Sequence, residues 1–154
     1  MSKLEQELAK RLKGFENKVA KVGWFPTAQY PAEEGGLHVA QVAIIQELGA
    51  PAANIPPRPF IAPTIAKEGN EWAKQIQKGA RAVMRGATNA DTVLQIVGQQ
   101  AAGDIRKTIS EVRSPPLAPS TLAKRAADGY TDQPLNRTGL MIATCTNTVG
   151  APEE

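Results

Sequence analysis

Lys67, Lys74, Lys78, Arg81 and Arg85 are the residues of this 154-residue chain whose type and spacing carry the clearest chemical message. Placed at about 100° per residue on a helix, they gather on one face, opposite Ile65, Trp72, Ile76, Ala80 and Val83. Like charges at helical spacing repel by roughly 0.2–0.5 kcal/mol per pair, which Glu71 relieves in part. A solvated helix face is the plain reading. The functional one is a face that meets DNA phosphates or an acidic partner. No aromatics interleave with the cations and no recognition-helix pattern is present, so contact with a duplex would be salt-dependent and non-specific.

Other chemistry finds little material. With one histidine, His38, and one cysteine, Cys145, the chain cannot build a zinc site of the common kinds, which leaves a carboxylate-only site as the remaining metal option. His38 reads as a helix-start residue and Cys145 as a small buried strand residue rather than as a base and a nucleophile. Glu33 and Glu34 fall in a solvated loop, not in a paired acid–base arrangement. The glycines in "EEGGL" and "DGY" lack the spacing of a phosphate-binding loop. The expectation is a protein that is not an enzyme, with no cofactor and no metal.

The stretch "NIPPRPFIAPTIA", residues 54–66, leads into the cationic segment. Its P-x-x-P spacing allows a polyproline II ligand. The more economical reading is a rigid strut in which Pro56, Pro57 and Pro59 fix the backbone, Phe60 anchors it and Pro63 falls in the first helical turn. Arg58 would then be held outward toward a partner carboxylate.

These residues must be positioned by a folded core. At 42% apolar and 21% charged the composition is globular, and one domain over residues 1–149 with a frayed tail at 150–154 is expected. Ser2 and Glu5 are spaced for a capping box, and Leu4, Leu8, Leu12 and Phe15 continue a helix over 2–17. Residues 18–25 alternate as a strand. "LHVAQVAIIQELG" reads as a helix ended by Gly49, with Ala40, Ala43, Ile44 and Leu48 inward.

The cationic helix runs from 62 to 85. A second, from 91 to 112, is capped by Asn89 or Asp91 and carries Leu94, Val97, Ala101, Ile105, Ile109 and Val112 on one stripe. The two are expected to pair antiparallel. A short helix at 120–127 follows, then a closing strand from Ile142 to Val149. The fold class is α+β, a small antiparallel sheet against two long amphipathic helices with extended loops. No apolar run is long enough for a membrane span. The lone cysteine suits a reducing compartment, so the expectation is a protein made and used in the cytoplasm or assembled from there. The net charge of +3 is a mild bias that identifies no partner by itself.

Taken in order, "KVGWF", "VAQVAIIQELGA", "IPPRPFIAPTI", "PPLAPSTLAKR" and "QPLNRTGLMIATCTNTV" resemble the tailed-bacteriophage virion-morphogenesis proteins of the neck and tail-completion group, the minor tail protein Z-like family. The likeness runs from about Val19 to Val149. In that family a helix ending in an acidic-aromatic-glycine triplet precedes an R-P-F motif, matched here by Arg58, Pro59 and Phe60. A P-L-x-x-T-G-x-L element is matched by Pro134, Leu135, Thr138 and Gly139. Leu48 stands where an aromatic is usual and Met141 where a leucine is.

The resemblance implies a homo-oligomeric ring of six, located in the virion at the neck or head-proximal tail end. Such a ring finishes the tail and supports head–tail joining, with other neck, tail-terminator or head-connector proteins as partners. Arg58, Pro59, Phe60, Leu135, Thr138 and Gly139 become subunit-interface candidates. Lys67, Lys74, Lys78, Arg81 and Arg85 become candidates for a DNA-lined lumen or an acidic partner. The alternative is a free basic protein that binds DNA non-specifically through the same helix face.

Overall fold

In the computed structural model, which describes residues 1–153, the chain is α+β. Six α-helices are present among the described residues: α1 (Lys3–Leu12), α2 (Val39–Leu48), α3 (Ile61–Met84), α4 (Ala90–Glu111), α5 (Pro119–Ala127) and α6 (Leu140–Thr144). Strands β1 (Val19–Gly23) and β2 (Thr146–Gly150) pair as a two-stranded antiparallel sheet. The chain divides into two compact units, residues 1–22, 67–103 and 146–154 in the first, and 23–66 and 104–145 in the second.

The first unit holds α1, the sheet and the facing parts of α3 and α4. Ser2 and Glu5 form the expected capping box, with Glu5 N–H donating to Ser2 Oγ (3.2 Å) and Ser2 N–H to Glu5 Oε2 (2.6 Å). Asn89 caps α4, accepting from Thr92 N–H at 2.9 Å. The core consists of Val83 from α3 with Ala90, Val93, Leu94, Val97, Ala101 and Ala102 from α4, all buried. At Gly79 α3 and α4 are in close contact, since a Cβ added there would overlap Val93 Cγ1. A glycine costs a helix about 1 kcal/mol relative to alanine, and here the missing Cβ is what lets Val93 reach the α3 backbone.

The second unit closes around Phe60, which is fully buried and meets Trp24 edge to face at 5.8 Å and 87°. Val39, Ala43, Ile105, Ile109, Leu135, Met141 and Cys145 complete this core, and α2 packs against α6. Trp24 Nε1–H donates to Met141 O at 2.8 Å, satisfying a carbonyl of the short α6.

Three sequence expectations need correction. The closing strand is shorter than read: Leu140, Met141, Ile142, Ala143 and Thr144 form α6, and only Thr146–Gly150 pairs. Gly139 at φ 78° and the Thr144 hydroxyl donating back to Leu140 O (2.7 Å) favour a helical turn over extension. On α2, Val39 and Ala43 are buried, but Ile44 and Leu48 are exposed. On α3, Thr64 is buried and Ile65 exposed, and Ile76 lies at the margin of the inner face at 39%. The small residues around Gly79 select the face that α4 approaches, and they outweigh the larger isoleucine.

Candidate functional site

All five cations of the α3 stripe lie within the first unit, and all five are exposed. Lys67 sits 3.4 Å from Glu68 and Lys74 3.9 Å from Glu71, surface pairs that leave most of the positive face to solvent. Beside the stripe runs an open groove of about 670 Å³. Lys74, Lys78 and Glu71 edge it, and Gly79, Val93, Val97 and the exposed Ile96 line it. The geometry therefore presents a continuous cationic face next to a shallow apolar one.

The R-P-F residues do different work from the one expected. Arg58 does not point outward. It is only 5% exposed, a correction to the strut reading that held it toward a partner. Its Nε–H donates to Pro115 O (2.7 Å), Nη2 to Pro116 O (3.0 Å) and Nη1 to Gln46 Oε1 (3.4 Å). Burial pulls the guanidinium below its usual value. Arg58 thus fastens the "SPP" turn to the end of α2. Phe60 and Leu135 are also buried, Pro59 and Thr138 are exposed, and Gly139 is intermediate. Of the six interface candidates, Pro59 and Thr138 are the exposed ones in this chain.

Glu47, unremarked in the sequence, organises the motif. Its carboxylate accepts from the backbone N–H groups of Phe60 (2.7 Å), Ile61 (2.9 Å) and Ala62 (3.0 Å), the donors that open α3. Four orphan N–H groups begin any α-helix and favour negative charge. Here a residue on the preceding helix satisfies three of them. The signal was present in the spacing, an acidic residue two positions before the Gly49 stop and ahead of R-P-F, but sequence gives no way to see that the chain folds back. It does so through Gly49 at φ 76°, where a Cβ would come within 2.8 Å of Pro57 N, and through Arg58 N–H donating to Gln46 O at 2.7 Å.

A smaller pocket of about 180 Å³ in the second unit is lined by Tyr30, Glu34, Arg125, Arg137 and Leu135 among others. Burial, and then the Glu34 carboxylate, push the Tyr30 hydroxyl above its usual range against the pull of Arg137. Arg137 stacks over the Tyr130 ring at 4.7 Å.

Among the described residues no group of three or more His, Cys, Asp and Glu is placed to hold a metal ion, and no helix is long and apolar enough to cross a membrane. His38 opens α2 as expected, its N–H donating to Gln41 Oε1 at 3.1 Å. Burial pushes the Cys145 thiol up to about 11, with Arg106 opposing, and so keeps it protonated at neutral pH. No protein-family model, curated protein or solved structure matches the chain.

Proposed function

We propose that the chain is a structural subunit of a tailed-phage virion, a ring component of the neck or tail-completion region that works through protein–protein interfaces. The ordered motif set supports the phage assignment. The observation that carries the interface part is the outer side of α2. Leu37, just ahead of that helix, is 45% exposed, and Ile44 and Leu48 on it are 58% and 71% exposed. Large aliphatic side chains at that spacing on an ordered helix are the composition of a contact surface. Glu47, the single charge within α2, is already engaged at the start of α3, so the outer face offers apolar contact without competing charge.

The test is a phage lacking the gene. It should accumulate filled heads and separate tails that fail to join, seen by electron microscopy, and supplying the protein should restore joining. Normal virions from the deletion would overturn the reading. Replacing Ile44 and Leu48 by Ser should block incorporation into particles while leaving the circular-dichroism spectrum unchanged.

A second reading rests on the exposure of Lys67, Lys74, Lys78, Arg81 and Arg85. In it, the purified protein binds duplex DNA without sequence preference. No measurable binding at low salt would exclude it.

A further inference from the structure

A cavity of about 420 Å³ in the second unit is walled by Arg58 and Arg125 together with Pro56, Pro116, Leu117 and Pro134, and no carboxylate lines it among the described residues. Both guanidiniums are held in place by carbonyls. Arg58 is fixed by Pro115 and Pro116, and Arg125 donates through Nη1 to Thr131 O (3.3 Å) and Gln133 O (2.6 Å) and through Nη2 to Pro134 O (3.5 Å). Carbonyl oxygens orient a guanidinium but do not neutralise it. The ion pairs among the described residues include neither Arg58 nor Arg125.

A cation taken out of water is unfavourable unless it is paired. Arg125 is drawn below its usual value by burial first, then by the neighbouring charges of Arg137 and Arg58. The cavity is therefore electropositive, its two guanidiniums are oriented by carbonyls, and no carboxylate among the described residues lines it.

We propose that this cavity is a carboxylate-binding site, and that its ligand is the segment 151–154 of a second copy of the chain. Arginine forks suit planar oxyanions, and the proline and leucine walls suit an extended apolar stem better than a bare ion. The sequence Ala151-Pro152-Glu153-Glu154 is that kind of ligand, two carboxylates on a short apolar stem. Ala151, Pro152 and Glu153 are exposed. Glu153 pairs with Lys21 Nζ at 2.7 Å, with its own side chain 88% exposed, so exchanging that surface contact for the arginine pocket sacrifices little. Because pocket and segment are different surfaces, the contact is head-to-tail and closes into a ring when the rotation between copies allows it. In that respect the inference rests on the ring reading above.

The experiment uses the full chain carrying Glu153→Gln and Glu154→Gln as receptor, so that its own segments do not compete. A fluorescein-labelled peptide of residues 146–154, blocked at both ends, is titrated in at low salt and followed by anisotropy. Saturable binding is expected, with a loss of at least about tenfold when both glutamates of the peptide are replaced by glutamine. The Arg125→Gln receptor should lose binding to a similar extent. Equal binding of the two peptides, or full binding by Arg125→Gln, would overturn the proposal.

Inorganic phosphate is titrated as a competitor. Phosphate that protects the receptor against heat, without any peptide binding, would overturn the assignment of the ligand to a second copy. The peptide comparison leaves the receptor unchanged, so misfolding of the arginine variant cannot imitate the result. Peptide binding is read on isolated protein. A receptor that binds the peptide while the deletion phage makes normal virions would therefore refute the ring reading and leave the pocket standing.

Discussion

Three amide protons at the start of α3 converge on the carboxylate of Glu47. Replacing Glu47 by Ala leaves those donors without their acceptor and should destabilise the protein by about 2 kcal/mol, read as a lower urea midpoint at unchanged slope. Glu47→Gln keeps an acceptor oxygen but loses the charge that complements the helix dipole, so it should fall between the two. Cys145 acts through its pH dependence. In the folded chain its thiol keeps its proton up to about 11, against an ordinary 9.0. Below pH 9 both states are protonated and this contribution is fully present. As pH rises from 9 through 11 the unfolded chain ionises first and the contribution is lost, on the order of 2 kcal/mol. The difference in unfolding free energy between wild type and Cys145→Ala should shrink across that window, and iodoacetamide should label the native thiol slowly at pH 8 yet rapidly in denaturant.

At the scale of elements, the contact between Gly79 and Val93 fixes how closely α3 and α4 approach in the first unit. Gly79→Ala raises helix propensity by about 1 kcal/mol. Its methyl, however, would occupy the space of Val93 Cγ1, so the net effect should be destabilising by roughly 1–3 kcal/mol. A double variant with Val93→Ala should recover part of the loss, which a thermal melt of the four proteins measures.

The same elements show what the sequence made legible. The stripe Leu94, Val97, Ala101, Ile105, Ile109 and Val112 was readable from its helical spacing, and its first five members are buried while Val112, just past the end of α4, is half-buried. On α2 the run "VAQVAIIQEL" is apolar on nearly every side, so periodicity could not choose between Ala43 and Ile44. Over 142–149, alternation suggested one strand. Its first three residues, Ile142, Ala143 and Thr144, instead belong to α6 because Gly139 and Trp24 supply a turn and a cap from outside the pattern. The cationic stripe was legible as a local feature. The Arg58 clamp was not, since its acceptors Pro115 and Pro116 lie far along the chain.

At the scale of the whole molecule, the protein offers a cationic face, an apolar face on α2 and an arginine-walled cavity. If the α3 face meets DNA, replacing Lys74, Lys78, Arg81 and Arg85 by glutamine should reduce the magnitude of the slope of log K against log salt by about 0.9 for each contacted phosphate. A salt titration of wild type and the quadruple variant checks this. An unchanged slope would assign the stripe to solvent or to a protein partner.

Residues 47–60 form a loop pinned at its base. Glu47 holds the Phe60 amide, Gln46 O accepts from Arg58 N–H, and Ala50 and Ile55 exchange two backbone hydrogen bonds across the neck. Beyond that neck Ala52, Ala53 and Asn54 are exposed, and the Pro51–Ala53 turn is held by its own short-range hydrogen bonds. The chain is therefore already closed below the tip, and lengthening the tip adds only a slowly growing loop entropy. A short tetracysteine or epitope tag placed between Ala52 and Ala53 should leave the melting temperature nearly unchanged. It would give a fluorescent or gold label a defined point of attachment, from which the position of each copy within an assembly could be counted directly.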